Sequence, residues 1–113
     1  MIIYEVNCLV DKNIERAFLS WLRQHIKEIV ALDGFHSAKI DQLLEDDRLQ
    51  EQPGSAGISV RYRLENQEAL ESYLLNHAPQ LRQDGIERFG NQFTVYRRVL
   101  ASISATDQPN QLE

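Results

Sequence analysis

The sequence predicts an α+β domain with the element order βαββαβ, and three patterns carry that expectation. Apolar and polar residues alternate over 2–10 and again over 58–65, the period of strands with one buried face. Apolar residues recur at helical spacing over 14–32 and again from Leu70 to Phe89. Strand-like runs at 35–44 and 92–103 complete the alternation.

The first strand places Ile2, Tyr4, Val6, Cys8 and Val10 on one parity, against Ile3, Glu5, Asn7 and Leu9 on the other. Asn13 is the expected cap of the first helix, since its side chain can accept from free backbone N–H groups. Ile14, Phe18, Trp21, Leu22, Ile26, Ile29 and Leu32 form one apolar arc, opposite Arg16, Ser20, Arg23 and Lys27. Asp33-Gly34 ends that helix, with glycine free to take the left-handed conformation. In the second strand Ala38, Ile40 and Leu44 oppose Ser37, Lys39 and Asp41. The charged stretch 45–56, with Pro53-Gly54, reads as a loop closing a long hairpin. Ile58, Val60, Tyr62 and Leu64 then alternate with Ser59, Arg61, Arg63 and Glu65. Asn66 caps the next helix, which Pro79 should kink or restart near 77–79 because proline removes a backbone donor and clashes with the preceding turn. Gly90 stops it.

Two interleaved right-handed β-α-β units give a four-stranded antiparallel sheet, spatial order 4-1-3-2, with both helices on one face: the ferredoxin-like fold. Residues 1–103 form one such domain, and 104–113, poor in apolar residues, are expected to be a disordered tail.

Composition narrows the function classes. The chain has 113 residues, 42% hydrophobic and 26% charged, which is ordinary globular usage. Twelve Lys and Arg against 17 Asp and Glu give a net charge of −5, so no nucleic acid partner is expected. A lone cysteine excludes an intramolecular disulfide framework and a cysteine-rich zinc site. The start lacks the pattern of a signal peptide and no apolar run approaches a membrane span, so the expectation is a cytoplasmic protein with no membrane partner.

The sheet face away from the helices carries Glu5, Asn7, Ser59, Arg61 and Arg63, flanked by Lys39 and Asp41. On the last strand two parities are open: Arg97 with Val95 and Val99, or Arg98 with Tyr96 and Leu100. Such a face is either solvated or covered by a second copy in a dimeric α/β barrel, with Ile3, Leu9, Leu43 and either Phe93 or Tyr96 as apolar rim. The homodimer is favoured, on fold analogy. In a dimer Glu5 and the arginines become buried and must be matched, by a Glu5–Arg61 or Glu5–Arg63 pair. A surplus arginine could hold an anionic ligand group bidentately, although an internal salt bridge is the simpler assignment.

His25 stands in the apolar arc of the first helix between Trp21 and Ile29, and His77 stands at the helix break. Each is a candidate proton-transfer group, weighed against a half-buried, hydrogen-bonded histidine and a carbonyl cap respectively. His36 is expected to be exposed. The three histidines lack metal-ligand spacing, so no metal is expected, and no cofactor-binding motif is present. Cys8 and Trp21 read as core, and Gly85 as either close packing or a weak helix end. RNA-recognition modules share the element order, but they need exposed aromatics on the central strands, where Tyr4 and Tyr62 have the buried parity.

Three segments together resemble a known family: Met1-Ile2-Ile3-Tyr4 with Val6; Trp21-Leu22, His25-Ile26 and Gly34-Phe35; and His77-Ala78-Pro79, Leu81-Arg82, Arg88-Phe89-Gly90, Phe93 and Arg97-Arg98-Val99-Leu100. The chain is similar over residues 1–100 to the bacterial family catalogued as domain of unknown function 4286. That resemblance implies a ferredoxin-like domain of the dimeric α/β-barrel kind, with no established activity. The family pattern carries over onto His25, His77, Arg82, Arg88, Phe89, Gly90 and Arg97.

Two function classes follow. In one, the dimer binds a small anionic molecule between helix and sheet, with His25 and His77 as proton-transfer candidates and Arg61, Arg63, Arg97 and Glu5 as ligand-binding candidates. In the other, the chain is a non-catalytic dimerisation or partner-binding module. The sequence leaves open whether it is an enzyme.

Overall fold

The computed structural model describes residues 1–104 and 106. Its elements are β1 (Ile2–Asp11), a 3₁₀ turn (Lys12–Ile14), α1 (Glu15–Val30), β2 (Phe35–Leu43), α2 (Asp47–Gln50), β3 (Ser55–Leu64), α3 (Gln67–Asn76), α4 (Ala78–Phe89) and β4 (Phe93–Ala101). The expected tail, apart from Ser104 and Thr106, lies outside the described residues.

β1 and β3 pair antiparallel along their whole lengths, from Ile2 opposite Leu64 to Asp11 opposite Ser55. β4 flanks β1 and β2 flanks β3, so the order is β2-β3-β1-β4, the expected arrangement read from the other edge. The match of register puts Tyr4, Cys8 and Val10 of β1 on the same face as Ile58, Val60, Tyr62 and Leu64 of β3. Phe18, Leu22, Ile26 and Ile29 of α1 and Leu70, Tyr73 and Ala78 of α3 and α4 close over them. Burying each such large side chain contributes roughly 1.5–3 kcal/mol, which is why this face takes the helices.

The caps differ from expectation at the first helix. Asn13 does not cap it; Asp11 accepts from the Asn13 N–H at 2.9 Å, and the chain first makes a 3₁₀ turn. Asn66 does cap α3, accepting from Ala69 N–H at 2.9 Å. The helix predicted to run on to Phe89 is broken at His77, with Pro79 in the first turn of α4, where its missing N–H costs nothing. The His77 ring makes no capping hydrogen bond at that junction. Gly90 ends α4 with φ +57°, its N–H donating to Ile86 O.

Three differences from expectation lie in the 35–56 region. A bulge lies between Phe35 and Ser37, so Phe35 opposes Leu64 while Ser37 opposes Arg63. The extra residue turns Phe35 to the helix side, where it meets Tyr62 and Tyr73 edge-on. Leu44, assigned to the buried parity, lies beyond the strand and is exposed. The stretch read as a loop carries the one-turn helix α2, capped by Asp46, whose side chain accepts from Arg48 N–H at 2.9 Å. This segment lies on the face away from the other helices: Tyr96 of β4 donates its hydroxyl to Asp46, and the Arg48 guanidinium sits 4.0 Å over the Tyr96 ring.

Candidate functional site

β4 settles the open parity. Its Val95, Arg97 and Val99 oppose Cys8, Val6 and Tyr4 and share the helix face; Tyr96, Arg98 and Leu100 oppose Asn7, Glu5 and Ile3 and share the other. The predicted site residues therefore divide between two places. His25 and Arg97 belong to a cavity under the helices. Glu5, Arg61 and Arg63 belong to the open sheet face, and His77 belongs to neither.

The cavity has a volume of about 310 Å³ and lies between α1, α4 and the β1–β4 half of the sheet. Trp21 and His25 are one helical turn apart on α1, so their rings stack, with centroids 4.5 Å apart and planes 25° from parallel. The indole Nε1–H donates to Asp84 of α4 at 2.8 Å, and Asp84 accepts a second bond from Arg88 at 3.3 Å. Those bonds fix the indole against α4 where Gly85 leaves room: a Cβ at position 85 would stand 2.9 Å from Trp21 Cη2. Gly85 thus marks close packing. Trp21, read as core, is half-buried and forms a cavity wall. Phe18, Phe93, Val6 and Val95 make the wall apolar, and Arg82 and Arg97 bring cations to it from α4 and β4. Arg82 donates to the Tyr4 hydroxyl at 3.1 Å. Neither arginine forms an ion pair among the described residues.

Burial holds the His25 imidazole below its ordinary pKa, with Glu28 and Asp84 pulling weakly the other way. The ring is held by stacking on Trp21 and makes no side-chain hydrogen bond among the described residues. The Trp21 hydrogen bond, aided by Arg88, keeps Asp84 ionised below the usual aspartate range. Cys8 also lines the cavity, but burial pushes its thiol up to about 12, so at neutral pH it is no nucleophile.

On the open face Glu5 is 2% exposed, yet charged. Burial alone would raise its pKa, but Asn7 Nδ2 donating at 2.9 Å and Arg98 donating at 2.8 Å outweigh that and hold it below the ordinary value. Arg61 approaches the second carboxylate oxygen at 3.3 Å. The expected Glu5–Arg61 pair is present, and Arg98 is its larger counterpart. Arg63 is exposed and forms no ion pair among the described residues. Exposed His36 is bound to Glu65 at 2.8 Å. His77 lines a separate depression with Asp33 and Tyr73, so the two candidate histidines do not share a site.

Trp21, Asp84 and Arg82 belong to the site without being singled out for it by residue pattern, although Arg82 stands in the family pattern. Trp21 and His25 at i, i+4 was the one local signal for a shared wall; Asp84 lies 63 positions from Trp21 and could be placed only by the fold.

Residues 1–103 match the family described as Domain of unknown function (DUF4286). The chain belongs to that family. No curated protein matches it. Solved structures do, at low identity. A protein provisionally named an antibiotic biosynthesis monooxygenase from Deinococcus radiodurans is 15% identical, with TM-score 0.70 over 97% of this chain and 100% of its own. A variant of SnoaB, a cofactor-independent oxygenase from Streptomyces nogalater, is 11% identical, with TM-score 0.65 over 95% and 98%. A dimeric ferredoxin-like protein from an uncultured marine organism is 12% identical, with TM-score 0.64 over 96% and 100%. At such identities the likeness is one of fold: this DUF4286 chain is ferredoxin-like. Among the described residues no helix is long and apolar enough to cross a membrane.

Proposed function

We propose that this chain binds a small organic anion with a flat apolar body in the cavity between α1, α4 and the sheet, and that it does so as a homodimer joined through the open sheet faces. The observation that carries the first statement is the placement of two guanidiniums, Arg82 and Arg97, at an aromatic-walled cavity. Apolar walls with a few convergent polar groups are the usual makeup of a small-molecule site, and about 310 Å³ is the lower end of its size range. A guanidinium meets a carboxylate through two parallel hydrogen bonds, which fixes the ligand's orientation. His25, neutral because burial disfavours its charge, is the group able to accept a proton there. The dimer draws support from the dimeric ferredoxin-like neighbour and from the strongly charged sheet face that α1, α3 and α4 leave uncovered.

The alternative, a module that only dimerises, draws on the pairing of Arg61 and Arg98 with Glu5, which gives those arginines structural work. It leaves Arg97 and the cavity unexplained.

Trp21 is the sole tryptophan, so its fluorescence reports on the cavity directly. Phenylacetate is expected to change that emission saturably, and phenylacetamide, its uncharged analogue, to bind more weakly. Native mass spectrometry of freshly purified protein is expected to give a dimer carrying a small mass lost on denaturation. Emission unmoved by phenylacetate, together with a dimer free of extra mass, would overturn ligand binding; a monomer would overturn the dimer.

A further inference from the structure

The cavity under the helices is charged at one end only. Tyr4 and Val6 are successive positions on the helix face of β1, and Cys8 and Val10 follow them. Arg82 of α4 donates to the Tyr4 hydroxyl at 3.1 Å, and Arg97 stands opposite Val6 on β4. The two guanidiniums therefore flank one end. Phe93, opposite Val10, and Phe18, with ring centroids 5.2 Å apart, close the other. The Tyr73 hydroxyl beside Tyr4 feels the same gathering of cations: burial pushes it up to about 12, while Arg82 and Arg97 both pull it down. One hydroxyl thus lies within Coulomb reach of both arginines.

That charge is uncompensated. The chain has a net charge of −5, yet no carboxylate stands among the described residues that line the cavity. Asp84 of α4 is turned to the Trp21 indole and to Arg88 instead. Tyr4 is a neutral acceptor and leaves the charge of Arg82 unmatched. Both arginines are exposed, so the cations sit at the mouth and the aromatic rings lie inward. A ligand that fits has an apolar ring at one end and an anionic head at the other. A head with one negative charge matches one of the two cations, and a head with two matches both. A phosphate monoester carries about two charges above its second pKa of about 6 and offers three terminal oxygens to the guanidinium forks.

We propose that the cavity takes an aromatic phosphate monoester, its doubly charged head held between Arg82 and Arg97 at the mouth and its ring lying inward against Trp21 and Phe93. This rests on the cavity reading above and narrows its ligand from a small organic anion to a dianion. Coulomb energy scales with the product of the charges, so each arginine counts about twice as much toward a phosphate as toward a singly charged head of the same shape. Water and salt at the mouth screen these pairs, so the preference should shrink as ionic strength rises.

Phenyl phosphate and phenyl sulfate share a ring and a tetrahedral head and differ in charge, two against one at about pH 8. Titration of each into the full chain, read by Trp21 fluorescence, tests the proposal. In about 50 mM salt phenyl phosphate is expected to bind about tenfold tighter than phenyl sulfate, and in about 500 mM salt the two should converge. Arg82→Gln and Arg97→Gln, both at exposed positions, should each weaken phenyl phosphate about tenfold or more, with circular dichroism checking the fold. Equal affinities for the two esters in the wild type overturn the dianion assignment and leave the cavity reading standing, as does phenylacetate binding where neither ester binds. A variant that keeps wild-type affinity for phenyl phosphate removes its arginine from the site and overturns the paired-cation arrangement. Emission unmoved by phenylacetate and by both esters overturns the dianion assignment and, with a dimer free of extra mass, the cavity reading as well.

Discussion

Arg97 and Arg98 are neighbours in sequence and serve opposite faces of the sheet: Arg97, opposite Val6, lines the cavity under the helices, and Arg98, opposite Glu5, donates to its buried carboxylate at 2.8 Å. Strand geometry imposes the split, since successive side chains leave a strand in opposite directions. Their alanine variants should therefore fail differently. Arg98→Ala removes a charged hydrogen-bond partner from the buried Glu5 and should lower the urea midpoint of unfolding. Arg97→Ala should stay within about 0.5 kcal/mol of wild type and lose phenylacetate binding. Equal stability losses in the two variants would contradict the assignment.

Glu5 makes stability depend on acid. Its folded-state pKa lies below the ordinary value of 4.5, so the unfolded chain takes up the proton first as pH falls. The contribution is complete above 4.5 and disappears as pH drops through the lower folded value. Glu5→Gln should lower neutral-pH stability and flatten that limb of the pH–stability curve. An unchanged acid limb would assign it to other carboxylates.

His25 acts in a higher window. Burial lowers its folded pKa beneath 6.5, so this contribution is complete above 6.5 and is lost as pH falls toward the folded value. His25→Gln should flatten stability in that range. An anion held by Arg82 and Arg97 would raise the His25 pKa, so phenylacetate should bind more tightly at pH 6 than at pH 8. The imidazole Hε1 resonance, followed by NMR with and without phenylacetate, reads both effects; identical titrations would remove His25 from the site.

Gly85→Ala would put a methyl 2.9 Å from a ring whose far side is held by Asp84. Alanine gains about 1 kcal/mol of helix propensity, but overpacking costs about 1–3 kcal/mol, so a net loss is expected. Adding Asp84→Ala frees the indole to shift, so the double variant should lose less than the two singles summed. Strict additivity would mean that Trp21 does not carry the strain.

Asn66→Ala should cost about 1 kcal/mol, the value of a lost N-cap. Asn13→Ala should cost little, because the Asn13 side chain caps nothing and Asp11 accepts from its backbone N–H. Thermal unfolding of the pair decides between the cap expected from the sequence and the one observed.

The sheet order, the helix face and the break at His77 were legible in the sequence. Strand alternation and helical periodicity are local patterns, and burial of one apolar face leaves a single consistent arrangement. Ile2, Tyr4, Cys8 and Val10 declared their face before any partner was known. The Phe35 bulge, the α2 arm and the cap at Asp11 were not legible, because each depends on a few atoms and on short polar stretches without a period. The parity of β4 was undecidable locally, since Val95, Val99, Tyr96 and Leu100 give both faces apolar residues.

The sequence by itself determined the element order, the strand faces and the identity of the core, because these follow from periodicity and from the free energy of burying apolar surface. Only the tertiary structure decided which charges meet. It set Asp84 on the Trp21 indole, gave Glu5 to Arg98 as well as Arg61, and brought Arg82, Arg97 and His25 to one cavity. Hydrogen bonds and ion pairs act over a few ångströms between residues far apart in the chain, so their partners exist only once the fold has placed them.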